Sequence, residues 1–150
     1  MKRNWFGRVR REDGTALIEA AFTLPIMLLV CIGILEFGRA YQAWQVVTNA
    51  SREGARVAVL PEYPDTSVTD RVKTYLKNGG LDPTAVNNAQ VKITATTIPI
   101  SATTTASAAN VRVEYPFKFM VLGPVAKLVV KDSKAGEDFT MVASTVMRNE

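Results

Sequence analysis

Residues 20–35 read AAFTLPIMLLVCIGIL, sixteen positions without a charge. No other feature restricts the fold as strongly, because a run of this kind has to be buried in protein or in lipid. As a helix rising ~1.5 Å per residue it covers about 24 Å. With its flanks, 15–37, it has 23 positions and spans roughly 34 Å, enough for a hydrocarbon core of about 30 Å. A cleaved secretory signal would have an apolar stretch of about 7–15 residues ending in a small-x-small site. Here the run is longer and closes on Glu36, Phe37, Gly38 and Arg39. Val30 precedes Cys31 where a lipoprotein signal has a small residue. The sequence therefore predicts one retained transmembrane helix, with Cys31 as an apolar side chain on it.

Charge sets the orientation of that span. Lys2, Arg3, Arg8, Arg10 and Arg11 precede it, whereas Arg39, Arg52 and Arg56 are the nearest basic residues after it. The excess on the N-terminal side predicts a cytoplasmic tail, with residues from about 40 onward outside the cytoplasmic membrane. The net charge of +4 resides mainly in this tail, so the composition does not point to nucleic acid. The chain has no histidine, and Cys31 is its single cysteine. It cannot form an intrachain disulfide, and the ligands of an ordinary zinc site are lacking. No Gly-rich phosphate loop, paired-carboxylate motif or thiol outside the span is present, so neither catalysis nor a cofactor, metal or small-molecule substrate is expected.

The stretch REDGTALIEAAFTLP, residues 11–25, has a glycine at the border of the span and a carboxylate just inside it. Gly14 can act as a cap or helix breaker. Glu19 can sit at headgroup level and favour the positive end of the helix dipole. A third reading joins them to the basic tail: a membrane peptidase needs a small residue at its scissile bond and a charged tail to hold that bond outside the bilayer. A cut after Gly14 would make Thr15 the new N-terminus, with Glu19 at i+4 on the same helical face.

A basic tail, a glycine, four residues, a glutamate and an apolar span together resemble type IV prepilins and pseudopilins. In particular, GTALIEAAFTLPIMLLVCIGILEFGRA (14–40), NASREGARVAV (49–59) and TMVASTVMRNE (140–150) resemble the TadE-like family, pseudopilins of the tight-adherence (Flp-type) pilus apparatus. The resemblance implies cleavage after Gly14 by a prepilin peptidase and a structural or assembly role among other pilus subunits and pseudopilins. On this reading 1–14 is a basic leader, 15–37 the transmembrane helix, and 38–150 an extracytoplasmic head. Gly14 and Thr15 form the cleavage site and Glu19 is the assembly residue. A permanent single-pass anchor subunit of a secretion or adhesion complex, uncleaved, is the alternative.

Beyond the span, Phe37, Ala40, Tyr41, Trp44, Val47, Ala50, Gly54 and Ala58 recur at helical spacing. They predict that the helix continues out of the bilayer with an apolar stripe and stops before Pro61. Ala50, Gly54 and Ala58 would allow close approach of a strand or second helix. Arg52, Glu53 and Arg56 would form a solvated face with a weak i, i+3 pair, with a subunit–subunit contact as the functional alternative. A second helix is expected from Thr66 or Ser67 to Gly79-Gly80. Asp65, Asp70 and Asp82 are expected at turns and caps. The period then changes to two in VKITATTI (91–98) and NVRVEYPFKF (110–119), and a third strand is expected over 137–147. SATTTASAA, 101–109, reads as a hairpin loop or a mobile connector. Residues 121–130 read as a loop with a short helix near the membrane. The fold class expected is α+β, a long N-terminal helix packed on a small antiparallel sheet with a second short helix.

Overall fold

The computed structural model describes residues 6–61, 64–101, 103–129 and 137–149. Lys2 and Arg3 of the basic tail lie outside the described residues. Helix α1, Phe6–Ala58, runs for 53 residues, about 80 Å at the usual rise. Pro25 is its one internal proline. A proline has no N–H to bond the carbonyl one turn back, so the helical ladder is one bond short there. Nearby the Thr23 hydroxyl donates to the Glu19 carbonyl at 2.8 Å. The helix ends ahead of Pro61, as its sequence predicts.

Helix α2, Asp65–Asn78, is entered from Pro64 in an extended conformation. It therefore starts a residue or two before the expected Thr66 or Ser67. It closes at Gly79, and Gly80 follows with φ of 77°, the left-handed region that glycine occupies at little cost. Helix α3, Pro83–Asn88, was not foreseen. It has six residues, and the Asp82 carboxylate caps it by accepting from Ala85 N–H at 2.9 Å. Of the three aspartates expected at turns and caps, Asp82 is the capping one. Asp65 opens α2 and Asp70 lies inside it.

Strands β1 (Gln90–Pro99), β2 (Thr105–Phe117) and β3 (Phe139–Arg148) form an antiparallel sheet in that order. Helix α4, Leu122–Val129, lies between β2 and β3 in the chain. The architecture is thus the expected α+β one. The hairpin loop is shorter than the low-complexity stretch indicated. Its turn closes through Ile100 N–H donating to Thr104 O at 2.9 Å, and Thr105–Ala109 already pairs with 95–99. Small polar side chains carry a weak strand signal, but here the partner strand supplies the backbone bonds. At its other end β2 stops at Phe117, two residues early.

The core lies where α1 passes between α2 and the inner face of the sheet. Val68, Val72 and Leu76 of α2, Val47 and Ala50 of α1, and Val111 and Val113 of β2 are all fully buried. Each large aliphatic so placed contributes about 1.5–3 kcal/mol relative to exposure. Gly54 makes the three-way approach possible. A Cβ there would stand 2.6 Å from Val72 Cγ2 and 3.2 Å from Val111 Cγ1. Both a helix and a strand therefore close on the small-residue face, the role the sequence indicated for it. Ser51, also buried, donates to Thr48 O at 2.8 Å. Its oxygen lies 2.7 Å from Thr145 Oγ1, so Thr145 is the donor in that link between α1 and β3.

The lower part of the expected stripe is rotated. Phe37, Tyr41 and Trp44 are exposed, whereas Glu36 and Ala43 are buried. The buried face of α1 follows Glu36, Ala40, Ala43, Val47, Ala50 and Gly54, and the aromatics form a ridge beside it. Glu53 is also more engaged than a solvated pair. Besides Arg56 at 3.5 Å, it accepts from Arg71 Nε and Nη2 of α2 at 3.0 and 2.6 Å.

Candidate functional site

Gly14, Thr15 and Glu19 all lie on α1, and all three are exposed. Gly14 neither caps nor breaks the helix, which begins at Phe6. A Cβ at Gly14 would meet nothing within 4 Å, so packing within the chain does not require a glycine there. Its intrinsic effect remains: a helical glycine is about 1 kcal/mol less favourable than alanine. The helix is therefore easier to open at this point than it would be with an alanine there. Thr15 and Glu19 stand one turn apart, as i and i+4, on one face. The helix is long and apolar enough to cross a membrane over this region, with Leu17, Ile18, Phe22, Leu24 and Ile26 all exposed. Cys31 is exposed as well.

A second arrangement, at the far end of the apolar run, was missed by the sequence reading. Glu36 is 2% exposed. Its Oε1 accepts from the backbone N–H groups of Met120 and Val121 at 3.0 and 2.7 Å. Its Oε2 accepts from Arg39 at 2.9 Å. Met120 and Val121 immediately precede α4, so the carboxylate satisfies donors at a helix start and lies at its positive end. One side chain of α1 thus holds α4 against it.

Around this junction four rings meet edge to face or tilted. Phe119 lies 6.5 Å from Phe37, 5.3 Å from Phe117 and 5.7 Å from Phe139, centroid to centroid. The Arg39 guanidinium sits 5.5 Å from the Phe117 ring centroid, a cation–π geometry. The signal for the junction was present in the sequence as Glu36 followed three residues later by Arg39. It reads as an ordinary i, i+3 pair until the fold brings Met120 and Val121 beside it.

Next to the junction is an open cleft of about 310 Å³, with Arg39, Asp82, Tyr115, Lys118 and Met120 among its lining residues. Burial raises the Tyr115 phenol above its ordinary 10.0, and the charge of Asp82 adds to the shift. The other charges are already engaged: Asp82 with α3, Arg39 with Glu36, and Lys118 with Asp138 at 3.3 Å. On the outer sheet face Glu114 accepts from Lys92 at 3.1 Å and Arg112 at 2.9 Å. Those hydrogen bonds hold its carboxyl below the ordinary 4.5. Among the described residues no group of three or more Cys, Asp or Glu could hold a metal ion.

A family model described as TadE-like protein matches residues 14–56. Residues 14–56 resemble the TadE-like family. The TadE-like match opens at Gly14 and ends at Arg56, two residues short of the end of α1. It thus includes Thr15, Glu19, Glu36 and Gly54, and it leaves α2 and the sheet outside. The TadE-like family is associated with tight-adherence pili and is not an enzyme family. No curated protein and no solved structure matches the chain.

Proposed function

We propose that this protein is a minor pseudopilin that takes part in assembling a tight-adherence (Flp-type) pilus, after a prepilin peptidase cuts between Gly14 and Thr15. The observation carrying the proposal is that the TadE-like match begins at Gly14 itself. The positions before the border form a basic tail and those after it the apolar helix. Gly14 makes no packing contact that would otherwise explain a glycine there. A peptidase must draw its scissile bond out of the helix, and a glycine at the border lowers the cost of that opening. The tail stays in the cytoplasm and the head lies outside it, in line with the Lys/Arg excess before the span.

Intact-mass analysis of membranes containing the cognate peptidase tests the cut. The expected product is the 15–150 chain, and Gly14→Phe should leave the protein whole. Full-length protein in both cases would overturn the proposal in favour of an uncleaved single-pass anchor. Because a Cβ at Gly14 meets open space, loss of cleavage in the variant reports on the peptidase rather than on misfolding.

A further inference from the structure

The uncharged run of α1, 20–35, covers about 24 Å as a helix. With its flanks, 15–37, it reaches roughly 34 Å against about 30 Å of hydrocarbon, so the upper end of the span falls at Glu36 and Phe37. That is the level at which the head closes on the helix, because Glu36 bonds Met120 and Val121 and Phe37 touches Phe119. The underside of the head therefore stands at the outer border of the span.

Its surface there is apolar. Met120 is 69% exposed, and Val121, Phe37 and Phe139 are also open. Glu36, the carboxylate at the junction itself, is sealed from solvent and has three donors, which is what a carboxylate needs in a medium of low polarity. Glu137 and Asp138 lie at the rim of the patch, Asp138 paired with Lys118 at 3.3 Å. Lys118, Arg39 and Lys127 share the rim of the patch with those two acids, and their long side chains can reach phosphate level while their stems lie along apolar surface. Tyr41 and Trp44 continue the exposed ridge one and two turns higher, where aromatic side chains gather at a membrane interface.

We propose that the floor of the head, Phe37, Phe119–Val121 and Phe139 with the start of α4, is immersed in the outer phospholipid interface of the membrane that α1 spans. The head is then held in the membrane by two elements, with Glu36 as the clasp between them. This rests on the single-span reading, and the test separates the two. The full-length chain carrying Cys31→Ser is reconstituted in vesicles of phosphatidylcholine and phosphatidylglycerol. Nitroxide labels are placed in turn on Met120→Cys, Val121→Cys, Leu28→Cys in mid-span and Ser107→Cys. Ser107 lies ten residues up β2 from Phe117, about 33 Å away.

Labels at Met120 and Val121 should lose most of the relaxation by a water-soluble nickel chelate that the Ser107 label shows, and should gain relaxation by oxygen, as at Leu28. If Leu28 lies in lipid while Met120 and Val121 respond to nickel like Ser107, the immersed floor is wrong and the span stands. If Leu28 also responds to nickel, the span fails and the floor with it. Shielding of Met120 and Val121 from both reagents would mean that protein covers the patch, which also overturns the proposal. All the labelled positions are exposed, so the labels themselves do not disturb the core.

Discussion

The backbone N–H of Val121 donates to Glu36 Oε1 at 2.7 Å across 85 residues of chain. This bond and its neighbour from Met120 join the end of the apolar run to the start of α4. Glu36→Leu would leave both N–H groups and Arg39 without their acceptor. Removing a buried charged acceptor in this way should cost roughly 2–4 kcal/mol, discounted for the half-open Arg39. Glu36→Gln keeps one carbonyl oxygen for the two N–H groups and should cost about half as much. Hydrogen exchange on the full chain in detergent checks this: the Met120 and Val121 amides should lose protection in Glu36→Leu and largely keep it in Glu36→Gln.

Two glycines of one helix should respond to the same change with opposite sign. Gly54→Ala would put a Cβ against Val72 and Val111, and such overpacking costs about 1–3 kcal/mol. Its better helix propensity returns about 1 kcal/mol of that. Gly14→Ala meets no atom within 4 Å and should gain that propensity with nothing to offset it. Urea unfolding of the head should register the first change, and helicity of the intact tail the second.

Much of this was legible from the sequence, for reasons visible in particular residues. The unbroken apolar helix, its continuation to just before Pro61, and the close approach at Gly54 follow from periodicity and residue size, which are local properties. Strand β1 and the stop at Gly79-Gly80 follow in the same way. The rotation of the stripe at Phe37, Tyr41 and Trp44 was not legible, because aromatic residues suit both a core and a membrane interface. Nor was α3, whose six residues hold only Ala85 and Val86 as buried anchors. Glu36 was missed because its partners at Met120 and Val121 are set by the return of the chain after β2. For Gly14, Thr15 and Glu19 the sequence supplied the spacing. Their exposure required the coordinates.

The head should lose stability at both pH extremes through groups that can be named. Glu114 is held below its ordinary 4.5 by Lys92 and Arg112. Its contribution is therefore present above pH 4.5 and is lost as the pH falls through the lower folded value. Tyr115 is raised above 10.0. Its contribution is complete below pH 10 and is lost as the pH rises through the higher folded value, because the unfolded phenol ionises first. Urea midpoints measured against pH should converge for wild type and Glu114→Gln on the acid side. Tyr115→Phe should flatten the alkaline limb.

The final prediction concerns Glu19, exposed on α1 one turn from Thr15. A carboxylate near the bilayer edge is inexpensive, but carried to the centre of a span it costs about 2.5–3.5 kcal/mol on insertion scales. A partner of opposite charge reduces that cost. Cleavage after Gly14 would release an ammonium at Thr15 on the same face, and packing of subunits side by side would bring the ammonium of a neighbour. In either arrangement the carboxylate matters only after the cut. Glu19→Leu should therefore insert and be processed to the 15–150 chain, yet fail to co-purify with its assembly partners or to support piliation. Gly14→Phe should fail one step earlier and accumulate uncut. Intact mass and co-purification, measured on the same membranes, separate these steps. If Glu19→Leu assembles like wild type, the carboxylate serves only the headgroup border, and the pseudopilin reading loses its second residue.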